Sequence, residues 1–302
     1  MYDLIIVGAG PAGLTAALYA ARKKINTLLL TKDLGGQVMW TKDIENYMGY
    51  QFITGQELIN KFENQLKPLL SDDSIRYEAV TGLETGDGDL VVTTTRAAYK
   101  TKSIIIASGK RPRPLGVPGE VEFRGRGVSY CATCDGPLFR NKTVAVIGGG
   151  NSALQAALEL SRIAEKVYLA DRSGYKAEAM IIDKVKQTPN IIPLHNYETK
   201  AIVGDKVVKE LVMVNGNSNE ECFSVQGIFV EIGLLPNTEF LSGSLPLNDN
   251  KEVIVNCRCG TDIPGVFAAG DVTNSVDKQI VIAAGEGAKA AIAVNEYLFQ
   301  LV

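Results

Sequence analysis

The sequence predicts an α/β protein of two three-layer ββα units, the second inserted into the first. The stretches "YDLIIVGAGPAGLTAALYAARKK" and "KTVAVIGGGNSALQAALELSRIAEKVYLADRS" share one grammar: a short apolar run, a glycine turn, an alanine- and leucine-rich helical stretch, and a second apolar run. This is the strand–turn–helix–strand unit of a Rossmann-like dinucleotide fold. The two copies lie about 140 residues apart, which gives each room for an ordinary domain. A third observation comes from the end of the chain. There "TDIPGVFAAGDV" and the apolar helix "QIVIAAGEGAKAAIAVNEYLFQ" supply the strand and helix that return to the first unit. The expected division is residues 1–112 with 241–302 for the split unit and 113–240 for the inserted one.

Taken in order, the first unit opens with a buried strand at residues 4–7, its glycine turn and helix, and the strand of "NTLLLT". Hairpin-like strands follow in "SIRYEAV" and "GDLVVTTTRAAYKTKSIIIAS". The segment "GKRPRPLGVPGE" suits a crossover, because each of Pro112, Pro114 and Pro118 fixes φ and removes a backbone donor. The second unit is expected to run strand 143–147, helix 152–163 and strand 166–170. Gly233 and Pro236 in "EIGLLPNTEF" mark the return crossing, after which "NKEVIVNCRCGTDIPGVFAAGDVT" reads as strands.

Composition excludes several classes of function. A formal charge of -3 and a pI near 5.5 give no basic field for nucleic acid or an anionic membrane. No apolar run reaches the roughly 20 residues of a membrane span, and the first residues have no signal-peptide pattern, so the expected location is cytoplasmic. Five cysteines, an odd number, do not make a secreted disulfide framework. In a reducing compartment a C-x-x-C is catalytic or metal-binding.

Gly8, Gly10 and Gly13 form GxGxxG between a strand and a helix, with Pro11 and Ala12 inside the motif. Missing side chains let the backbone turn tightly and approach a pyrophosphate at the helix N-terminus. Gly148, Gly150 and Ala153 form a second fingerprint, GxGxxA, around Asn151 and Ser152. Asp171 follows at the end of the next strand, placed to accept from ribose hydroxyls and to repel a 2'-phosphate. Arg172 and Lys176 are alternative phosphate partners, and a solvated "DRSGYK" turn is the plainer alternative. In "TDIPGVFAAGDV", Gly270 and Asp271 end a strand where a carboxylate can accept from a flavin's ribityl hydroxyl, which supports FAD in the split unit.

Cys131 and Cys134, in "SYCATCDGPLF", have three uses to weigh. A structural zinc needs four ligands, and the remaining candidates, Cys222, Cys257, Cys259 and the single His195, do not offer a second pair at suitable spacing. A static disulfide over so short a loop adds little stability. A redox dithiol exchanging electrons with a flavin is favoured. Asp135 either shuttles its proton or caps a helix. The other three cysteines read as ordinary strand residues and His195 as structural. Trp40 either covers a cofactor ring or packs.

With "GAGPAG", "GGQ", "EN", "CATCDG", "GGGNSA" and "PGVFAAGDV" in this order, the chain resembles the low-molecular-weight thioredoxin reductases over essentially its whole length. The resemblance implies FAD held by the first fingerprint, Gly35, Gly36, Gln37, Asn46, Ala107, Gly109, Gly270, Asp271, Lys278, Gln279 and Ile280. It further implies that Cys134 lies nearer the flavin, that Cys131 attacks thioredoxin's disulfide, and that Asp135 is the acid. Residues 112–119 and 233–237 would be hinges for a rotating small domain, and the assembly a homodimer. The family's NADPH-dependent members carry "HRR" and a further arginine where this chain reads "DRSGYK". NADH is therefore expected over NADPH. Reduced ferredoxin is an alternative donor, for which the basic Lys110, Arg111 and Arg113 would be the docking site. Another dithiol carrier, linked to a peroxiredoxin, is an alternative acceptor. A flavin-binding scaffold without turnover would have no use for the dithiol.

Overall fold

The computed structural model describes residues 1–41, 44–86, 90–241 and 243–301; the side chains of Trp40 and Asp72 lie outside the description, so neither sequence reading of Trp40 is addressed. Residues 87–89, at the head of the second hairpin stretch, are also outside it. The chain forms two compact units, Met1–Arg111 with Leu235–Val302, and Pro112–Leu234.

The first unit begins with β1 (Leu4–Ala9), α1 (Pro11–Arg22), β2 (Thr27–Leu34), α2 (Gly55–Leu66), β3 (Ile75–Tyr77), β4 (Val80–Thr85), β5 (Leu90–Thr94), β6 (Ala98–Thr101), β7 (Ile104–Ile106) and β8 (Lys110–Pro112). The inserted unit follows with β9 (Val128–Ser129), α3 (Ala132–Asp135), β10 (Thr143–Ile147), α4 (Asn151–Ser161), β11 (Lys166–Asp171), α5 (Ala179–Gln187), β12 (Ile191–His195), β13 (Glu198–Gly204), β14 (Val208–Val214), β15 (Glu220–Ser224) and β16 (Gly227–Val230). The chain returns through β17 (Leu234–Pro236), β18 (Val266–Ala268) and α6 (Ile280–Phe299).

In the first unit a five-stranded sheet has the order β18-β7-β1-β2-β3, every pairing parallel, with a separate antiparallel sheet β4-β5-β6. Period two explains the layering. Leu4 and Ile6 join a core with α1, α2 and α6, whereas Ile5 and Val7 join a second core with Leu83, Leu90 and Val92 of the antiparallel strands. Each of these four apolar side chains contributes about 1.5–3 kcal/mol by burial. The inserted unit repeats the plan, with order β12-β11-β10-β16-β9, all parallel, and an antiparallel sheet β13-β14-β15. Val144 and Val146 face α4 and α5, and Ala145 and Ile147 face the antiparallel layer. Both units are thus the expected Rossmann-like ββα stacks. No helix among the described residues is long and apolar enough to cross a membrane.

The structure corrects three sequence expectations. "SIRYEAV" is not a hairpin: β3 adds to β2 in parallel, and a new sheet starts at Val80. Much of 251–263 is loop rather than strand, because the Asn256 side chain accepts from the Arg258 and Gly260 amides and Cys259 sits at φ 64°, which curls the backbone out of extension. The return crossing falls at Leu234/Leu235, not at residue 240. Asn237 bonds to Gly109 and Ser108, and Leu241 is buried in the first unit's core, so residues 235–240 belong with it.

Candidate active site

Because the first unit's five strands are parallel, their carboxyl ends share one edge, the edge at which doubly wound sheets bind ligands. Five sequence-predicted clusters come to it. The fingerprint follows β1, Gly35, Gly36 and Gln37 follow β2, Ala107 and Gly109 follow β7, and Gly270 and Asp271 follow β18. Lys278, Gln279 and Ile280 lead into α6. Two hydrogen bonds tie distant parts of this edge together, Gln37 Nε2 donating to Asp271 Oδ2 (3.4 Å) and Asn46 Nδ2 to Gln279 Oε1 (3.1 Å), while Lys278 Nζ donates within its own loop to the Thr273 carbonyl (2.8 Å).

The glycines divide by what a side chain would meet. A Cβ on Gly13 would lie 1.8 Å from the Gly8 carbonyl oxygen, and one on Gly8, at φ +104°, would lie 2.4 Å from that of Ala107. A Cβ on Gly10 would meet nothing within 4 Å. The turn is therefore closed where strand and helix touch and open where a pyrophosphate has to approach, so these residues fit the dinucleotide that the motif implies. Burial pushes the Asp271 carboxyl above the ordinary carboxylate range, while the nearby lysine charges, Lys278 first, oppose the shift. The Lys278 ammonium is pushed down, first by burial and then by Lys110. Glu286, which sequence reasoning missed, accepts from the Gly270 amide at 2.7 Å and so fixes the turn before Asp271.

In the inserted unit the same parallel geometry gathers Gly148, Asp171, His195, Glu231 and the disulfide at one carboxyl edge, after β10, β11, β12, β16 and β9 respectively. Gly148, at φ +148°, leaves no room for a Cβ, which would lie 2.2 Å from the Glu231 carbonyl oxygen, whereas Gly150 again faces open space. Asn151 and Ser152 are exposed in the first turn of α4, and Ala153 is buried against Gly148.

Asp171 is buried rather than presented to solvent. One oxygen accepts from the Ser173 (3.0 Å) and Gly174 amides, and the other lies 2.5 Å from His195 Nδ1. Asp171 thus pins the 172–174 loop from the end of β11, while Arg172 and Ser173 beside it are exposed. His195, read as structural, is the more exposed partner of the pair, and Tyr175 stacks edge-on against it at 4.7 Å. The buried Tyr175 hydroxyl finds no hydrogen-bond partner among the described residues. Burial, with the Asp171 charge, pushes it up to about 12. Arg172 is exposed beside this loop.

Cys131 and Cys134 are joined in a disulfide with Cα atoms 5.3 Å apart. The Cys134 amide donates to Cys131 Sγ at 3.1 Å. Ser129 Oγ accepts from the Cys131 amide (3.1 Å) and donates to Asp135 Oδ2 (2.6 Å), so one hydroxyl positions both a cysteine and the predicted acid. Asp135 closes α3 and its side chain makes no helix-capping bond. Neither Ser129 nor Glu231 was legible from motif spacing. No group of three or more metal-ligating side chains exists among the described residues, and Cys222, Cys257 and Cys259 are free thiols. Burial pushes Cys259 up to about 11.

Two of the three cations of "GKRPRP" are engaged within the first unit. Lys110 is buried in an ion pair with Glu252, and Arg111 bonds to Glu239 and Asn237 (both 2.6 Å). Lys110 is thereby withdrawn from the surface, whereas Arg111, paired with Glu239, and Arg113 stay exposed.

Two dinucleotide-type units, one bearing a C-x-x-C disulfide at the ligand edge of its sheet, define a disulfide oxidoreductase architecture. Residues 2–287 match the family model described as pyridine nucleotide-disulphide oxidoreductase. The thioredoxin reductase of Streptococcus pyogenes superposes with a TM-score of 0.94 at 36% identity, covering 99% of each chain. The chain belongs to this family, in its low-molecular-weight thioredoxin reductase branch. It is also 43% identical over 304 residues to an alkyl hydroperoxide reductase subunit of Pseudomonas putida, and 40% identical over 301 residues to a protein named NADH dehydrogenase in Ferdinandcohnia aciditolerans. In both matches it is aligned over 99% of its own length but spans only 58% of the relative.

Proposed function

We propose that the protein is an NADH-dependent flavoprotein disulfide reductase that delivers two electrons through Cys131–Cys134 to thioredoxin. The observation that carries this reading is the Ser129 hydroxyl shared between the Cys131 amide and the Asp135 carboxylate. A static staple has no need of an acid held beside it. Bound FAD would supply two-electron chemistry between the nicotinamide donor and the disulfide; at the first unit's carboxyl edge the fingerprint amides would hold its pyrophosphate and Asp271 would accept from a ribityl hydroxyl.

Two electrons break the Cys131–Cys134 bond and leave two sulfurs that together take up as many as two protons. Asp135 takes a proton from the Cys131 thiol, and the resulting thiolate attacks the carrier's disulfide, forming a mixed disulfide and releasing the carrier's other sulfur, to which Asp135 returns that proton. Cys134 then attacks Cys131, restoring the intramolecular disulfide and freeing the reduced carrier. NADH is preferred because a 2'-phosphate would approach the Asp171 carboxylate, at the end of β11, and the backbone loop pinned on it. Discrimination here rests on exclusion more than on a ribose hydrogen bond. A peroxiredoxin-linked carrier is the second reading, favoured by the identity to the alkyl hydroperoxide reductase polypeptide.

Anaerobic stopped-flow bleaching of the flavin band with NADH, NADPH and reduced ferredoxin in parallel tests the donor. NADH is expected to reduce the flavin fastest, and rapid reduction by NADPH would overturn that assignment. Turnover with thioredoxin, and with a peroxiredoxin plus its carrier, identifies the acceptor. Activity only in the second assay would replace thioredoxin.

A further inference from the structure

His195 is the single histidine of the chain, and neither fingerprint nor the dithiol relay uses it. It stands opposite Asp171 in the parallel register of β12 on β11, so the two residues end their strands side by side. The loop after Asp171 leans on the second glycine turn, the Lys176 amide donating to the Gly149 carbonyl at 2.7 Å. In a fold of this kind the end of the second strand meets the adenosine ribose of a nucleotide held at the glycine turn. The Asp171 side chain is only 2% exposed and that of His195 47%, so the imidazole is what the pair presents to solvent there. Asp171 decides what the ring offers. A carboxylate only accepts, so the 2.5 Å contact places the ring proton on Nδ1. The other Asp171 oxygen is taken by the Ser173 and Gly174 amides, and Tyr175 lies edge-on to the ring with centroids 4.7 Å apart. Nε2 has no partner among the described residues, and in the neutral ring it carries a lone pair.

We propose that His195 is the specificity-determining residue for the electron donor: its bare Nε2 accepts from the 2'-hydroxyl of an unphosphorylated adenosine ribose and turns away a 2'-phosphate. A hydroxyl has a proton to give. A phosphate monoester above its second ionisation has only lone pairs, which would face the lone pair of Nε2 and the Asp171 charge behind it. Asp171 is a positioning residue that acts through the ring. The exposed Arg172 and Lys176 on the same loop would attract a phosphate, so an acceptor at the ribose is what keeps NADPH out. The inference rests on the reading of NADH as donor and names the residue that selects it.

A lone histidine gives one set of imidazole nitrogen signals. The oxidised holoprotein, labelled with nitrogen-15 histidine, is observed by NMR at about pH 8, above the ordinary imidazole range. Calorimetric titrations use NAD+, NADP+ and NAD+ lacking the adenosine 2'-hydroxyl, none of which passes electrons to oxidised flavin. In wild type Nδ1 should be protonated and Nε2 bare, and NAD+ should shift the Nε2 signal. Loss of the 2'-hydroxyl should weaken binding roughly three- to tenfold, and in His195→Phe, which keeps a ring against Tyr175, that difference should vanish. Asp171→Asn, whose amide can donate to Nδ1, should move the ring proton to Nε2 and narrow the preference for NAD+ over NADP+ roughly tenfold. The wild-type signals carry the test if either variant loses flavin or its native circular dichroism. A proton on Nε2 in wild type, an Nε2 signal unmoved by bound NAD+, or a 2'-hydroxyl dependence that survives in His195→Phe would overturn the proposal and leave the NADH reading standing. NADP+ bound as tightly as NAD+, or neither bound at all, would overturn that reading and the proposal with it.

Discussion

Ser129 spends its hydroxyl on two partners, so Ser129→Ala should act on both the Cys131 amide and the acid. Loss of the pair costs about 1–2 kcal/mol of local stability and lets Asp135 leave its orientation, which is expected to lower kcat about tenfold or more with KM for the carrier little changed. Steady-state kinetics alongside the flavin absorbance of the same sample checks this; an unchanged kcat would detach Ser129 from the chemistry. At this scale the sequence was legible where residues act with near neighbours. The C-x-x-C and its following aspartate announce themselves, because all three lie within five residues. Ser129 is near in sequence, but a serine before a cysteine carries no signal of its own. Glu231 and His195 reach their partners only through parallel pairings of β16 with β9 and of β12 with β11, and no local pattern foretells those registers. Lys110 illustrates the converse. Its basic neighbourhood looked like a docking surface, yet Glu252, more than a hundred residues on, takes it into the interior.

The strand–turn–helix elements were the most legible part of the fold, since apolar runs and glycine spacing specify both of them locally. What they do not specify is which glycine serves the fold and which the ligand, and the structure separates these. Gly13→Ala drives a Cβ to 1.8 Å from the Gly8 carbonyl oxygen and should disrupt the β1–α1 packing, so a poorly folded protein without flavin is expected. Gly10→Ala meets no protein atom within 4 Å. Its apoprotein should melt as wild type does, while FAD affinity falls by about tenfold or more because the methyl occupies the space the pyrophosphate needs. Circular dichroism melts of the apoproteins, paired with FAD titrations, distinguish the two, and equal flavin affinity in Gly10→Ala would refute the placement.

The β16–β10 end also has a stability signature. Glu231 is raised from 4.5 to about 7 in the folded protein, so folding favours its protonated form. That stability is fully present below the unfolded value near 4.5 and is lost as pH rises through about 7. Relative to wild type, Glu231→Gln should therefore gain nothing near pH 4.5 and at most roughly 3 kcal/mol by pH 8, read as a shift in urea midpoint at the two pH values.

At the scale of the whole molecule, the insertion is a closed excursion. The Arg113 amide donates to the Gly233 carbonyl at 2.9 Å inside the second unit, and the Asn237 amide to the Gly109 carbonyl at 3.0 Å inside the first. Each unit therefore brings its own two cut ends together, and each has a pair of cores made solely of its own residues. The sequence showed that a crossing and a return exist, through its prolines and Gly233, but the return was displaced because the buried Leu241 and the bonded Asn237 are indistinguishable by composition from linker residues. Physical autonomy follows from those closed ends. A fragment of residues 112–234 should unfold cooperatively in urea with its Cys131–Cys134 disulfide intact, because joining its ends costs little further loop entropy. A chain in which a short Gly-Ser linker replaces that fragment should still fold and retain flavin, since every residue expected to hold FAD lies in the first unit. Mixing the two separate products should not restore carrier reduction at the rate of the intact protein, because the tether that supplies a high effective concentration is gone. A fragment without a cooperative transition, or a linked first unit that cannot hold flavin, would mean that the two units fold as one.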